Sequence, residues 1–187
     1  NGMYHGFAAG LQDLLKGTPI VDATDLVDEV KAIKSAEEID CIRRTAAMQD
    51  RLMEKLRGYI KPGMKEFEVS AYAQYCANMD GSAQGLFFCS SAPKQPGPPM
   101  NRYQQTREIQ KGDVLMILLE YNGPGGFFTE LGRTLVMGNT VPMALQEQCE
   151  KNRATQAFDL SLLRPGASCR EIFKIHNETV MVQGGHE

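Results

Sequence analysis

The chain has 187 residues, 42% of them hydrophobic and 23% charged, with 20 Lys plus Arg against 23 Asp plus Glu. This suits one folded domain with a sizeable core, is marginal for two, and argues against disorder over most of the length. A net charge of −3 leaves no basic footprint for nucleic acid, and no apolar run approaches the roughly 20 residues of a membrane span.

The start does not read as a signal peptide. Met3 to Leu15 has no basic flank and carries Asp13 within its apolar part. The first residue is Asn1, so the chain is expected to begin part-way through a longer product. Residues 1–34 read as a tail, with a short helix from Gly6 to Lys16, a strand at Pro19 to Asp22 and a second helix from Ala23 to Ala32. Ser35-Ala36-Glu37-Glu38 is a capping box that opens a long helix. Ile39, Ile42, Ala46, Met53, Leu56 and Ile60 recur at helical spacing and mark its expected buried face. Lys61-Pro62-Gly63 ends it, and another helix runs from about Lys65 to Asp80.

Leu86 to Ser90 reads as a short strand, and Ala92 to Pro99 as a four-proline loop. Lys111-Gly112-Asp113 turns into an apolar strand, Val114 to Glu120. Asn122 to Gly126 is a hairpin turn whose glycines accept positive φ, and Phe127 to Met137 returns as the second strand. Pro142 sits near the start of a long helix that ends by Arg164-Pro165-Gly166, and a last helix starts near Ser168. The five cysteines, Cys41, Cys76, Cys89, Cys149 and Cys169, are odd in number and lack any CxxC pair. They read as buried, reduced thiols.

Two corners echo each other at an offset of 103 residues. Lys61-Pro62-Gly63 and Arg164-Pro165-Gly166 each follow a long helix, precede another, and have a Glu five residues after the Gly, Glu68 and Glu171. The pattern suggests a duplicated α-α-β unit whose second copy stops before its strands.

Acidic residues interrupt the apolar strands in an organised way only at the hairpin. If the loop centres on Gly125, Glu120 and Glu130 lie opposite each other; a half-residue change would put Leu119 there instead. Facing like charges are destabilising. A divalent cation, a shared proton or a neighbouring base such as Arg133 would have to compensate. His5, His176 and His186 form no local metal spacing, and there is no HExxH.

Lys34-Ser35-Ala36-Glu37-Glu38-Ile39, the Pro-Gly-x-x-x-x-Glu corner, Gly112-Asp113-Val114-Leu115 and Phe128-x-Glu130-x-x-Arg133-Thr134 together resemble the creatinase/aminopeptidase P/prolidase family. The resemblance runs from about Lys31 to the end. It implies an α+β pita-bread fold with a pseudo-twofold αβ repeat and an incomplete second half. Residues 1–30 would close an N-terminal domain, and 31–187 would form part of the catalytic domain. Family peptidases bind two divalent metals through two Asp, one His and two Glu. Glu130 stands in the place of the second Asp, Leu118 in that of the first, and Glu120 is the nearest carboxylate that could substitute. Met100 stands where the family has a further histidine, and the last three ligands would fall beyond Glu187. The resemblance therefore implies metal ligands Glu120 and Glu130, a divalent ion (Mn²⁺, Zn²⁺ or Mg²⁺), and a short-peptide or other small-molecule substrate cleaved at a C–N bond. It also implies a cytoplasmic homodimer with neither nucleic acid nor membrane as partner. A metal-free hydrolase of the creatinase kind and a non-catalytic binding module are the alternatives.

Overall fold

A computed structural model describes residues 3–93 and 106–184. In chain order the described elements are α1 (His5–Leu14), α2 (Thr24–Ala32), α3 (Ala36–Tyr59), α4 (Glu66–Met79), β1 (Gly85–Pro93), β2 (Asp113–Asn122), β3 (Phe128–Val136), α5 (Met143–Leu162) and α6 (Cys169–Gly184).

The tail behaves as its composition suggests: neither α1 nor α2 buries a residue. The strand expected at Pro19 to Asp22 does not form. This segment is exposed, and Asp22 instead accepts hydrogen bonds from the Thr24 amide (2.9 Å) and hydroxyl (2.6 Å), turning the chain into α2.

The capping box of α3 closes in both directions. Glu38 N–H donates to Ser35 Oγ at 3.2 Å, and Ser35 N–H donates to Glu38 Oε2 at 2.7 Å. The buried face of α3 matches the expected one at Met53, Leu56 and Ile60 and departs from it earlier in the helix: the helix buries Thr45, Met48, Gln49, Leu52, Met53 and Leu56, with Ile60 buried just beyond. Ile39 is 38% exposed and Ala46 is exposed, while Ile42 is half-buried. Only toward the N-terminus did apolar periodicity pick positions turned away from the sheet, because Thr45 and Gln49 occupy the buried stripe there for polar reasons given below.

β1, β2 and β3 form an antiparallel sheet in that order. Along β2 the side chains alternate. Leu115, Ile117, Leu119 and Tyr121 are fully buried and pack with Met48, Leu52, Leu56, Val69 and Ala73 of α3 and α4. Met116, Leu118 and Glu120 face the other way and are only half-buried. β1 runs on through Ala92 and Pro93, which pair with Val114 and Asp113, where the sequence suggested a loop; Pro is tolerated at the end of an edge strand. The rest of that proline-rich loop, with Met100, lies outside the described residues, as does His186.

Tyr121 lies flat over Gly85, its cross-strand partner. A β-carbon on Gly85 would overlap Tyr121 Cδ1. Gly85→Ala must displace a fully buried ring, and overpacking of this kind costs about 1–3 kcal/mol. Urea unfolding would measure it, and a loss below about 0.5 kcal/mol would mean that the ring yields freely.

A polar network fastens residues 107–113 to the core. Glu66, 4% exposed, accepts from the Ser91 amide (2.6 Å) and hydroxyl (2.7 Å). Arg107 donates to Ser91 Oγ and grips Asp113 with two hydrogen bonds, 2.5 and 3.1 Å. Backbone bonds from Gly63 to Ile109, Ile109 to Met64 and Glu66 to Arg107 zip this segment onto the corner after α3.

The two corners repeat in three dimensions. Gly63 and Gly166 both take positive φ, 92° and 82°. Met64 N–H donates to Lys61 O as Ala167 N–H does to Arg164 O, and Val69 N–H donates to Lys65 O as Ile172 N–H does to Ser168 O. Each bond recurs at the offset read from the sequence.

Candidate functional site

The hairpin turn fixes the register. Gly125 and Gly126 adopt positive φ, 72° and 78°, which glycine tolerates, and the loop centres on Gly125. Glu120 therefore pairs with Glu130, and Leu118 with Gly132. Leu119 pairs with Leu131 and turns to the helices. Of the two arrangements open in the sequence, the chain adopts the one that opposes the acids.

Glu120 is half-buried and Glu130 exposed. By strand alternation they share the sheet face away from α3 and α4. Leu86 is the partner of Glu120 on β1, so apolar side chains flank the pair. Arg133 does not neutralise it. Three residues from Glu130, it belongs to the opposite face of β3, and its Nη1 donates to the Gly132 carbonyl at 2.7 Å. No ion pair among the described residues involves either glutamate.

Beside the pair, a cavity of about 510 Å³ opens between the sheet and α5. Leu118, Gly132 and Thr134 line one side, and Cys149, Asn152 and Arg153 the other.

Among the described residues no three His, Cys, Asp or Glu side chains converge as a metal site. With Leu118 in place of a ligand, these residues do not fit a two-metal centre. Two facing carboxylates fit, at most, part of the shell of one cation. The orphaned polar atoms nearby, Gln49 Oε1, Thr129 Oγ1 and Tyr121 Oη, belong to the helix side of the sheet and add nothing to the acidic face. Burial pushes the Tyr121 hydroxyl up to about 12, with the Cys76 thiol adding to it.

Of the other described nucleophiles and bases, Cys149 lines this cavity, while Cys89 and His176 lie elsewhere. All five cysteines are free, but only Cys76 and Cys89 are buried; Cys41 and Cys149 are intermediate and Cys169 is exposed, against the expectation of uniformly buried thiols. Burial first, then the Glu66 charge, pushes the Cys89 thiol up to about 12, which makes it inert as a nucleophile. His176 Nδ1 lies 2.9 Å from Asp159, tying α6 to α5.

Sequence reading missed Thr45 and Gln49 on α3. The signal was present: Cys41, Thr45 and Gln49 continue the Met48–Leu52–Leu56 stripe toward the N-terminus at helical spacing, but their polarity hid them.

Comparison with known proteins gives the family of the chain that carries this fold and this acidic hairpin. Residues 40–186 match Metallopeptidase family M24, and the chain belongs to that family. It is 27% identical over 177 residues to a creatinase of Bacillus sp., covering 90% of this chain and 42% of the relative. It is 28% identical over 167 residues to the Xaa-Pro aminopeptidase of Escherichia coli, covering 86% and 36%. Among solved structures, the prolidase of Pyrococcus horikoshii superposes with a TM-score of 0.79 at 21% identity, over 99% of this chain and 52% of that one. The fold is the α+β pita-bread fold. The chain spans about half the length of the relatives it matches, or less.

Proposed function

We propose that this chain is part of a hydrolase of C–N bonds in short peptides or other small molecules, in which Glu120 and Glu130 together hold one centre of positive charge. The carrying observation is the register that sets these carboxylates opposite each other, without a neutralising base, beside a cavity. Such a pair opposes folding by about 0.2–1 kcal/mol, so its presence in an apolar strand supports a use. Leu86 and Leu118 lower the local dielectric and strengthen the attraction of the pair for a cation. The cavity along Leu118 and Gly132 receives the uncharged part of the substrate.

In the first reading the cation is a single divalent ion, Mn²⁺, Zn²⁺ or Mg²⁺, held by Glu120 and Glu130 with further ligands from outside the described residues. When bound, such an ion acidifies water and polarises a carbonyl. The second reading is favoured by Leu118: with no ligand there, the pair grips a cationic nitrogen of the substrate itself. We further assign residues 1–30 to the close of a preceding domain and 31–187 to the catalytic domain, since α1 and α2 bury nothing against the rest. The protein acts as a cytoplasmic homodimer in this reading. No described helix is long and apolar enough to cross a membrane.

The intact gene product should be assayed against Xaa-Pro peptides, creatine-like amidines and small amides, with added Mn²⁺ and with chelator. Turnover abolished by chelator is the expected result. Chelator-resistant turnover of an amidine would replace the first reading by the second. No turnover of any substrate would overturn both in favour of a binding module.

A further inference from the structure

We propose that Gln49 is a positioning residue for the acidic pair, clamping the hairpin at the rung next to Glu120 and Glu130. This rests on the reading of that pair as the functional site. Gln49 is 1% exposed, in the middle of the helix face that packs on the sheet. Its Nε2 donates to the Tyr121 carbonyl at 3.1 Å and also to the Thr129 carbonyl. Tyr121 follows Glu120, Thr129 precedes Glu130, and the two are cross-strand partners. One side-chain nitrogen thus bridges both strands beside the facing charges.

The same helix stripe seats the turn. One turn earlier, Thr45 lies so close that a β-carbon on Gly123 would overlap its Oγ1. Thr45 is held in place by donating to the Cys41 carbonyl at 2.9 Å. One turn earlier again, Cys41 Sγ stands 3.2 Å from where a β-carbon of Gly125 would be. Cys41, Thr45 and Gln49 therefore run under the hairpin at i, i+4 and i+8.

The choice of residue fits the task. Repulsion between Glu120 and Glu130 pushes the strands apart near the hairpin end, where ladders open most readily. A leucine at position 49 would fill the space but remove the donor that bridges the two carbonyls. A lysine or arginine would hold them but bring a charge that competes for the pair. A neutral carboxamide supplies two donor hydrogens and no charge.

The test uses the intact gene product with Gln49→Leu, Gln49→Asn as a milder variant should the first fail to fold, and Ile117→Val as a control in the same core. Hydrogen–deuterium exchange is read on peptides covering 119–131 and, separately, 113–118 and 132–137. The Mn²⁺ affinity and the kcat and KM for the best substrate are read alongside. Gln49→Leu should speed exchange at least tenfold in 119–131 and less than twofold in the flanking peptides. It should lower kcat or Mn²⁺ affinity at least tenfold, with Gln49→Asn intermediate and Ile117→Val unchanged. Acceleration spread evenly over all three peptides would overturn the positioning role. Acceleration confined to 119–131 with unaltered affinity and turnover would support the clamp and overturn the acidic pair as the site it serves.

Discussion

Replacing Arg107 with leucine will lower stability by about 3–5 kcal/mol, because it strands a buried charge. Asp113 is 1% exposed, and the guanidinium is its only cationic partner among the described residues. The same substitution removes a donor to Ser91, which in turn donates to the buried Glu66. Burial pushes the Asp113 carboxyl up, but the hydrogen bonds from Arg107 and the Gln110 amide, with the Arg107 charge, outweigh it and hold it below the usual carboxylate range. The stabilisation is thus present above the unfolded value of about 3.9 and is lost as pH falls through the lower folded value. In the Arg107→Leu variant burial acts with far less opposition and the folded value rises, so the sign reverses: acidification from neutrality should relieve the strain. Urea unfolding between pH 7 and pH 3.5 checks both parts. Parallel pH profiles for the two proteins would show that Arg107 does not govern Asp113.

Glu120→Gln and Glu130→Gln should each cut turnover by at least about 100-fold, as removal of a charged group that stabilises the transition state does. The same variants should be more stable than the unaltered protein by about 0.2–1 kcal/mol, because like charges facing across a ladder repel. Loss of activity with gain of stability is the signature of residues kept for function at the expense of the fold. A purely structural pair would give neutral activity, and a pair that props up the hairpin would give loss of both.

Much of the fold was legible because its signals are local. The Ser35–Glu38 box, the Pro-Gly corners and the Gly-rich hairpin turn each involve residues three to five apart, and each forms where expected. The acidic pair was legible only conditionally, since its register depends on where the turn centres, and one residue of slip exchanges the faces. The parts that stayed hidden are non-local. Gln49 meets Tyr121 and Thr129 across more than seventy residues, and Glu66 meets Ser91 across 25. A buried polar residue in an apolar stripe looks like an error of periodicity until its distant partners are known. The strand wrongly expected at Pro19 to Asp22 fails for the converse reason: local β-propensity had no neighbouring edge to pair with.

The most direct test of Glu120 and Glu130 as the seat of one positive centre is a calorimetric titration of the intact gene product with Mn²⁺, alongside Glu120→Gln and Glu130→Gln. One ion per chain should bind, and each substitution should weaken that binding at least tenfold, since the amide keeps the volume but not the charge a hard cation requires. Unchanged Mn²⁺ affinity in both variants would contradict the metal reading, and unchanged affinity together with unchanged turnover would contradict the assignment itself and leave the facing glutamates as a structural feature of the hairpin.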